Sequence, residues 1–121
     1  MFEKLFKRTD INNSAINKIL LSNEDQLEEL LDASKQKPVL LFKHSSSCGI
    51  SAMVLKRFEN KLQDKNNQYN YYFLDLLRYR NISNLIAKKF QIMHQSPQLI
   101  LIKNGKVVDY SSHYGIMEMN F

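Results

Sequence analysis

The sequence predicts an α/β protein in which a central mixed sheet is flanked by helices and closed by a C-terminal β-hairpin and a short helix. Three observations predict it. Short β-branched and aliphatic runs, "PVLLFKHS" and "YNYYFLDLL", alternate with stretches whose apolar residues recur at helical spacing. "LILIKNGKVV" places two strand-like segments around Asn104-Gly105, a pair that suits a tight hairpin because both positions tolerate positive φ. Finally, 44% hydrophobic and 24% charged residues in a chain of 121 is the balance of one globular domain able to bury a core.

Each element has a local reason. Residues 1–15 show little periodicity and read as an N-terminal arm, leaving 16–121 as a single domain. A strand is expected ahead of the first helix without a clear position. Ser22 with Asp25 resembles a capping box, after which Leu27, Leu30, Leu31 and Ala33 repeat at helical spacing until the polar "SKQK". Pro38 opens a run short enough for a buried strand. From Cys48 the period is helical again, with Ile50, Met53, Val54, Phe58 and Leu62 on one face, and "QDKNNQ" ends it. "YNYYFLDLL" reads as a strand. Asn81 or Ser83 can then cap a helix that buries Leu85, Ile86 and Phe90. After the hairpin, "HYGIMEMNF" closes the chain as a short helix.

Composition removes several function classes. The net charge of +5 is spread over Lys56, Arg57, Lys61, Lys65, Arg78, Arg80, Lys88 and Lys89 rather than gathered with a recognition motif, so no nucleic-acid partner is expected. "MFEKLFKR" is too short and too charged for a signal peptide, and the longest aliphatic and aromatic run, Val39 to Phe42, is far below the ~18 apolar residues of a membrane span. No membrane partner is expected. A single cysteine allows no internal disulfide and suits a reducing, cytoplasmic compartment. His44, His94 and His113 lack metal-ligand spacing with one another or with Cys48, so no metal is expected.

The chemistry concentrates in "KHSSSCGIS". Cys48 falls where a strand gives way to a helix, so unpaired backbone N–H groups and the positive end of the helix dipole favour its thiolate, the form that attacks disulfides. Ser51 lies one turn later, where its hydroxyl can donate to the sulfur. Lys43 and His44 can add positive charge if the loop folds back. Burial as an inert thiol is the alternative. Asp75 reads as a strand-end carboxylate, with an influence on proton transfer near Cys48 as the other possibility.

The order strand, C-x-x-S opening a helix, strand, helix and "HQSPQLILIKNGKVV" resembles the thioredoxin fold. "EELLDASKQKPVLLFKHSSSCGIS", "NISNLIAKKFQIMHQSPQLILIKNGKVV" and "SSHYGI" are similar, more closely, to the YtxJ-type bacilliredoxin-like proteins associated with the bacillithiol system. The resemblance spans roughly residues 20–117. It implies that Cys48 is the nucleophile, that Ser51 replaces the resolving cysteine, and that Pro97, preceded by a cis peptide bond, faces Cys48. It also implies that Ser96 shapes the groove for a partner's sulfur; Lys43, His44 and Gly49, which flank the thiol, complete the candidate substrate-binding set.

The resulting expectation is a monothiol thiol–disulfide exchange enzyme. It would take a low-molecular-weight thiol from, or transfer it to, S-thiolated client proteins, with that thiol as co-substrate, no cofactor, and a monomeric state. A non-catalytic thioredoxin-like binding module is the alternative. The third reading is a monothiol glutaredoxin-like iron–sulfur carrier, suggested by the likeness of "CGIS" to "CGFS", although the Gly-Gly stretch of glutaredoxins is missing from "VVDYSSHYG".

Overall fold

In a computed structural model, which describes residues 16–121, five strands and three α-helices alternate as β1 (Lys18–Leu20), α1 (Glu24–Ala33), β2 (Val39–His44), α2 (Gly49–Gln63), β3 (Asn70–Asp75), α3 (Arg80–Phe90), β4 (Gln98–Lys103) and β5 (Lys106–Ser112). The expected arm, residues 1–15, lies outside the described residues. Strand order is β1-β3-β2-β4-β5, with β1, β3 and β2 parallel and β4 and β5 antiparallel. The mixed sheet anticipated from the alternation is therefore present.

Side chains alternate across the sheet and divide the core in two. Val39, Leu41, Tyr72, Leu74, Ile100 and Ile102 face α1 and α3, where they meet Leu27, Leu30, Ile82 and Ile86. Leu40, Phe42, Tyr71, Leu99 and Leu101 face α2, meeting Val54, Phe58 and Leu62. Being covered on both sides, β2 is buried from Val39 to Lys43, as a continuous apolar run requires. Ile116 and Met119, in and just beyond a 3-10 helix at His113–Glu118, complete the α2 side of the core.

Two starts differ from expectation. The capping box at α1 is Asn23 with Gln26, one residue beyond Ser22 with Asp25. Gln26 Oε1 accepts the Ser22 amide at 2.6 Å and the Asn23 amide at 3.3 Å while Nε2 donates to the Leu20 carbonyl at 3.1 Å, a reach that the shorter Asp25 lacks. In α3 neither Asn81 nor Ser83 is the cap; the helix starts at Arg80 behind Tyr79, and Ser83 is buried among its core residues. Within α2, Met53 is exposed and Ser51 takes the buried position instead.

The hairpin forms as expected, with Asn104 at φ 52° and Gly105 at φ 76°. Its tip is docked on the end of α1: the Asn104 amide donates to the Ser34 carbonyl at 2.9 Å, and the Gly105 amide to Ser34 Oγ at 2.7 Å. Pro97 comes just before Gln98, the first residue of β4, which pairs with Lys43 near the end of β2.

Candidate functional site

The site starts where β2 stops. Past His44 the chain makes a tight turn in which the Cys48 amide donates to the Ser45 carbonyl at 3.1 Å, and the Ser51 amide then donates to the Cys48 carbonyl at 3.1 Å to open α2. Cys48 is the N-cap residue of this 15-residue helix, with extended backbone and a half-buried free thiol that makes no capping hydrogen bond. The thiol therefore sits at the positive end of the α2 dipole, where a negative charge is favoured. Next to it, a Cβ on Gly49 would meet nothing within 4 Å, so the surface beside the thiol is open.

Ser51 does not play the part the spacing suggested. It is completely buried, and its hydroxyl is engaged by His44 Nδ1 at 2.7 Å and by the Ser45 amide, which donates to Oγ at 3.2 Å. The sulfur of Cys48 is not among its partners. At the third helical position the serine side chain points back under the end of β2, where buried polar atoms must find partners at once.

Lys43 and His44, paired in the sequence reading, separate onto opposite faces of the sheet because neighbours on a strand alternate. His44 lies on the α2 face with Cys48 and Ser51. Its ring sits 5.6 Å from Phe73 and 6.5 Å from Phe42. Burial lowers its pKa below the ordinary 6.5, Asp75 opposes that shift, Lys18 adds to it and Glu59 opposes it. Lys43 faces α3 and is fully buried; its Nζ donates to the Ser83 carbonyl at 3.3 Å and lies 3.5 Å from His94 Nδ1. Burial pulls its pKa down to about 8. So placed, Lys43 supports the α3 side of the segment before Pro97 rather than lining the thiol.

The Ser96–Pro97 peptide is cis, and the Pro97 carbonyl accepts from the His113 amide at 2.9 Å. Pro97 is buried, and Ser96 Oγ is enclosed without a hydrogen-bond partner. Sequence reasoning missed His94 and Ser83, whose side chains meet at 3.2 Å beside the Lys43 ammonium, and Gln98, which pins the same segment by donating to the Met93 carbonyl at 3.1 Å. The available signal was Lys43 itself, a cation in an otherwise apolar strand that requires buried partners.

Comparison with known proteins bears on the fold and the family. The family model of the monothiol bacilliredoxin BrxC matches residues 19–121. The chain belongs to this family. Among solved structures, a thioredoxin-fold protein described as a candidate oxidoreductase is similar at 32% identity and TM-score 0.77, over 88% of this chain and 91% of that one. Thioredoxins from Schistosoma mansoni (24% identity, TM-score 0.66, 84% of this chain and 88% of that one) and Malassezia sympodialis (20%, 0.65, 80% and 79%) share the fold. As a monothiol bacilliredoxin of thioredoxin fold, the protein is a thiol–disulfide redox protein with one thiol, Cys48. Among the described residues no helix is long and apolar enough to cross a membrane.

Proposed function

We propose that the protein is a monothiol thiol–disulfide exchange enzyme of C-x-x-S type that removes a low-molecular-weight thiol, bacillithiol by the family's name, from mixed disulfides on client proteins. The Cys48 thiolate attacks the small thiol's sulfur, forming a Cys48–small-thiol disulfide and expelling the client's sulfur as a thiolate, which takes a proton from solvent. A second small-thiol molecule, entering as its thiolate, then attacks the adduct. It leaves as the symmetric disulfide and restores Cys48, so each bond broken is matched by one formed and no bound cofactor is needed. With a single cysteine in the chain, the resolving thiol must come from outside. Ser96 and Pro97, and Gly49 on the open side of the thiol, form the surface offered to the incoming disulfide. The enzyme works on S-thiolated proteins in the cytoplasm as a monomer.

The observation that carries this reading is a half-buried, unbonded thiol at the N-cap of α2 in a chain of the monothiol bacilliredoxin family. Intact mass spectrometry tests it. Mixed with a client protein carrying bacillithiol in disulfide linkage, the enzyme gains one bacillithiol on Cys48 as the client loses one, and added bacillithiol removes the adduct. Cys48→Ser abolishes both steps. A protein that binds the client while staying free of adduct is a non-catalytic module, and the proposal fails.

A further inference from the structure

Between α3 and β4 the chain runs from Gln91 to Pro97 without helix or strand. Ile92 is buried, but Met93 is 78% exposed and His94 is exposed as well. Apolar burial therefore does not fix the backbone from Met93 until Pro97. Polar contacts do. Gln98 Nε2 donates to the Met93 carbonyl at 3.1 Å, and His94 Nδ1 lies 3.2 Å from Ser83 Oγ and 3.5 Å from Lys43 Nζ. Lys43 also donates to the Ser83 carbonyl at 3.3 Å. Because Lys43 and Gln98 are register partners on β2 and β4, the stretch is held at two points from one rung of the sheet.

An ammonium has donors only. While Lys43 is charged, His94 Nδ1 faces it as an acceptor, and the ring proton sits at Nε2. Burial, followed by the charges of Lys43 and Arg80, lowers the His94 pKa and favours this neutral ring. As a source of stability the cluster is poor. Lys43 is fully buried, and among the described residues no carboxylate pairs with it. Gln98 Oε1 is buried and finds no hydrogen-bond partner among them either. A buried polar cluster of this kind can fix a geometry at a cost in stability.

We propose that Lys43 is a positioning residue of the exchange site: with Ser83 and Gln98 it braces residues 93–96 from inside and so fixes Ser96 and Pro97 for an incoming protein-borne disulfide. This rests on the proposed role of Ser96 and Pro97 as the surface offered to that disulfide. Lys43 lies on the α3 side of the sheet, whereas Cys48 opens α2 on the other side. The brace therefore acts on the surface beside the thiol and leaves the thiol's own reactivity alone.

Two rates measured on the full chain separate the thiol from that surface. Alkylation of Cys48 by iodoacetamide reads the thiolate alone. Transfer of bacillithiol from a client protein, followed by intact mass, reads the thiolate and the surface together. Lys43→Met keeps an unbranched side chain and removes the donors. It should slow transfer by roughly tenfold, as expected when a reacting partner is misplaced, and leave alkylation unchanged. His94→Ala, at an exposed position that tolerates truncation, should give the same pair of results. The double variant should be about as slow as the slower single, because both changes open one contact.

Unchanged transfer in the single variants would show that the stretch holds without the brace. Equal slowing of transfer and alkylation would place the effect at the thiol, and fully additive slowing would show that Lys43 and His94 act separately. Each of these results overturns the proposal. Backbone 15N order parameters of residues 93–96 read the brace without any chemistry and should fall in both single variants. Values equal to those of the unmodified chain overturn the brace. A native chain that transfers no bacillithiol refutes the exchange reading instead, so the two failures are distinguishable.

Discussion

At the scale of single residues, Lys43 is the least expected feature. A fully buried ammonium has traded water for the Ser83 carbonyl and the His94 ring, a poor exchange for a charge. Its pKa falls from 10.5 to about 8 on folding. Below pH 8 both folded and unfolded chains carry the proton, and the folded state bears a cost of about 3 kcal/mol. Between pH 8 and 10.5 the unfolded chain binds more protons, so stability from this group rises with pH across that window and the cost is gone above it. Lys43→Met should therefore stabilise the protein by about 1–3 kcal/mol at neutral pH, with the gain shrinking by pH 10, as read from urea midpoints. A variant destabilised at both pH values would mean that the contacts to Ser83 and His94 outweigh the desolvation. The sequence reading singled out Lys43 as a positive charge close before Cys48 but not for this role, because partners forty and fifty-one residues away depend on how β2 packs against α3 and the Pro97 segment. Cys48 was legible for the opposite reason: its setting depends on a local change of period from strand to helix.

At the scale of elements, periodicity located the helices and most strands, and local chemistry decided their ends. The start of α1 went to the residue pair able to satisfy most amides, which is Asn23 with Gln26 rather than Ser22 with Asp25. Asn23→Ala should cost about 1 kcal/mol, whereas Ser22→Ala should cost a few tenths at most, as measured by thermal or urea unfolding. Equal losses would show that Ser22 shares the cap. In α2 the buried face was anticipated at Val54, Phe58 and Leu62. Phe58 stacks on Phe42 at 5.4 Å and meets Tyr71 edge-on at 5.2 Å, which ties the helix carrying Cys48 to the strand before it and to β3. Phe58→Ala should cost about 3–5 kcal/mol and broaden the reactivity of Cys48, since the helix N-terminus would lose its fixed position. The short β1 was expected without a place, as its residues Lys18–Leu20 are all exposed and have no alternating pattern to read. Its position comes from pairing with β3 alone.

At the scale of the whole molecule, the hairpin and the helix that follows do more than close the sheet. Ile116 and Met119 are buried against α2, and Phe121 packs on Phe58 with ring centres 5.6 Å apart. Lys61 donates to the Met119 carbonyl at 2.6 Å, and Lys65 hydrogen-bonds the Phe121 carbonyl, so two lysines of α2 and the residues just after it hold the last residues in place. Little of this was legible, because "HYGIMEMNF" has too few apolar positions to show which face it buries. The segment packs on the C-terminal half of α2, around Phe58 and Lys61, and completes the core on that side of the sheet. Burial of two large apolar side chains contributes about 3–6 kcal/mol, a large part of the 5–15 kcal/mol that keeps a typical domain folded. Removing residues 116–121 should lower the urea midpoint sharply and leave a marginal fold. Met119→Ala together with Phe121→Ala should give an intermediate loss while the hairpin stays intact. A truncated chain with an unchanged midpoint would show that the C-terminal segment only rests on α2 and that the sheet with α1 and α3 supplies the stability by itself.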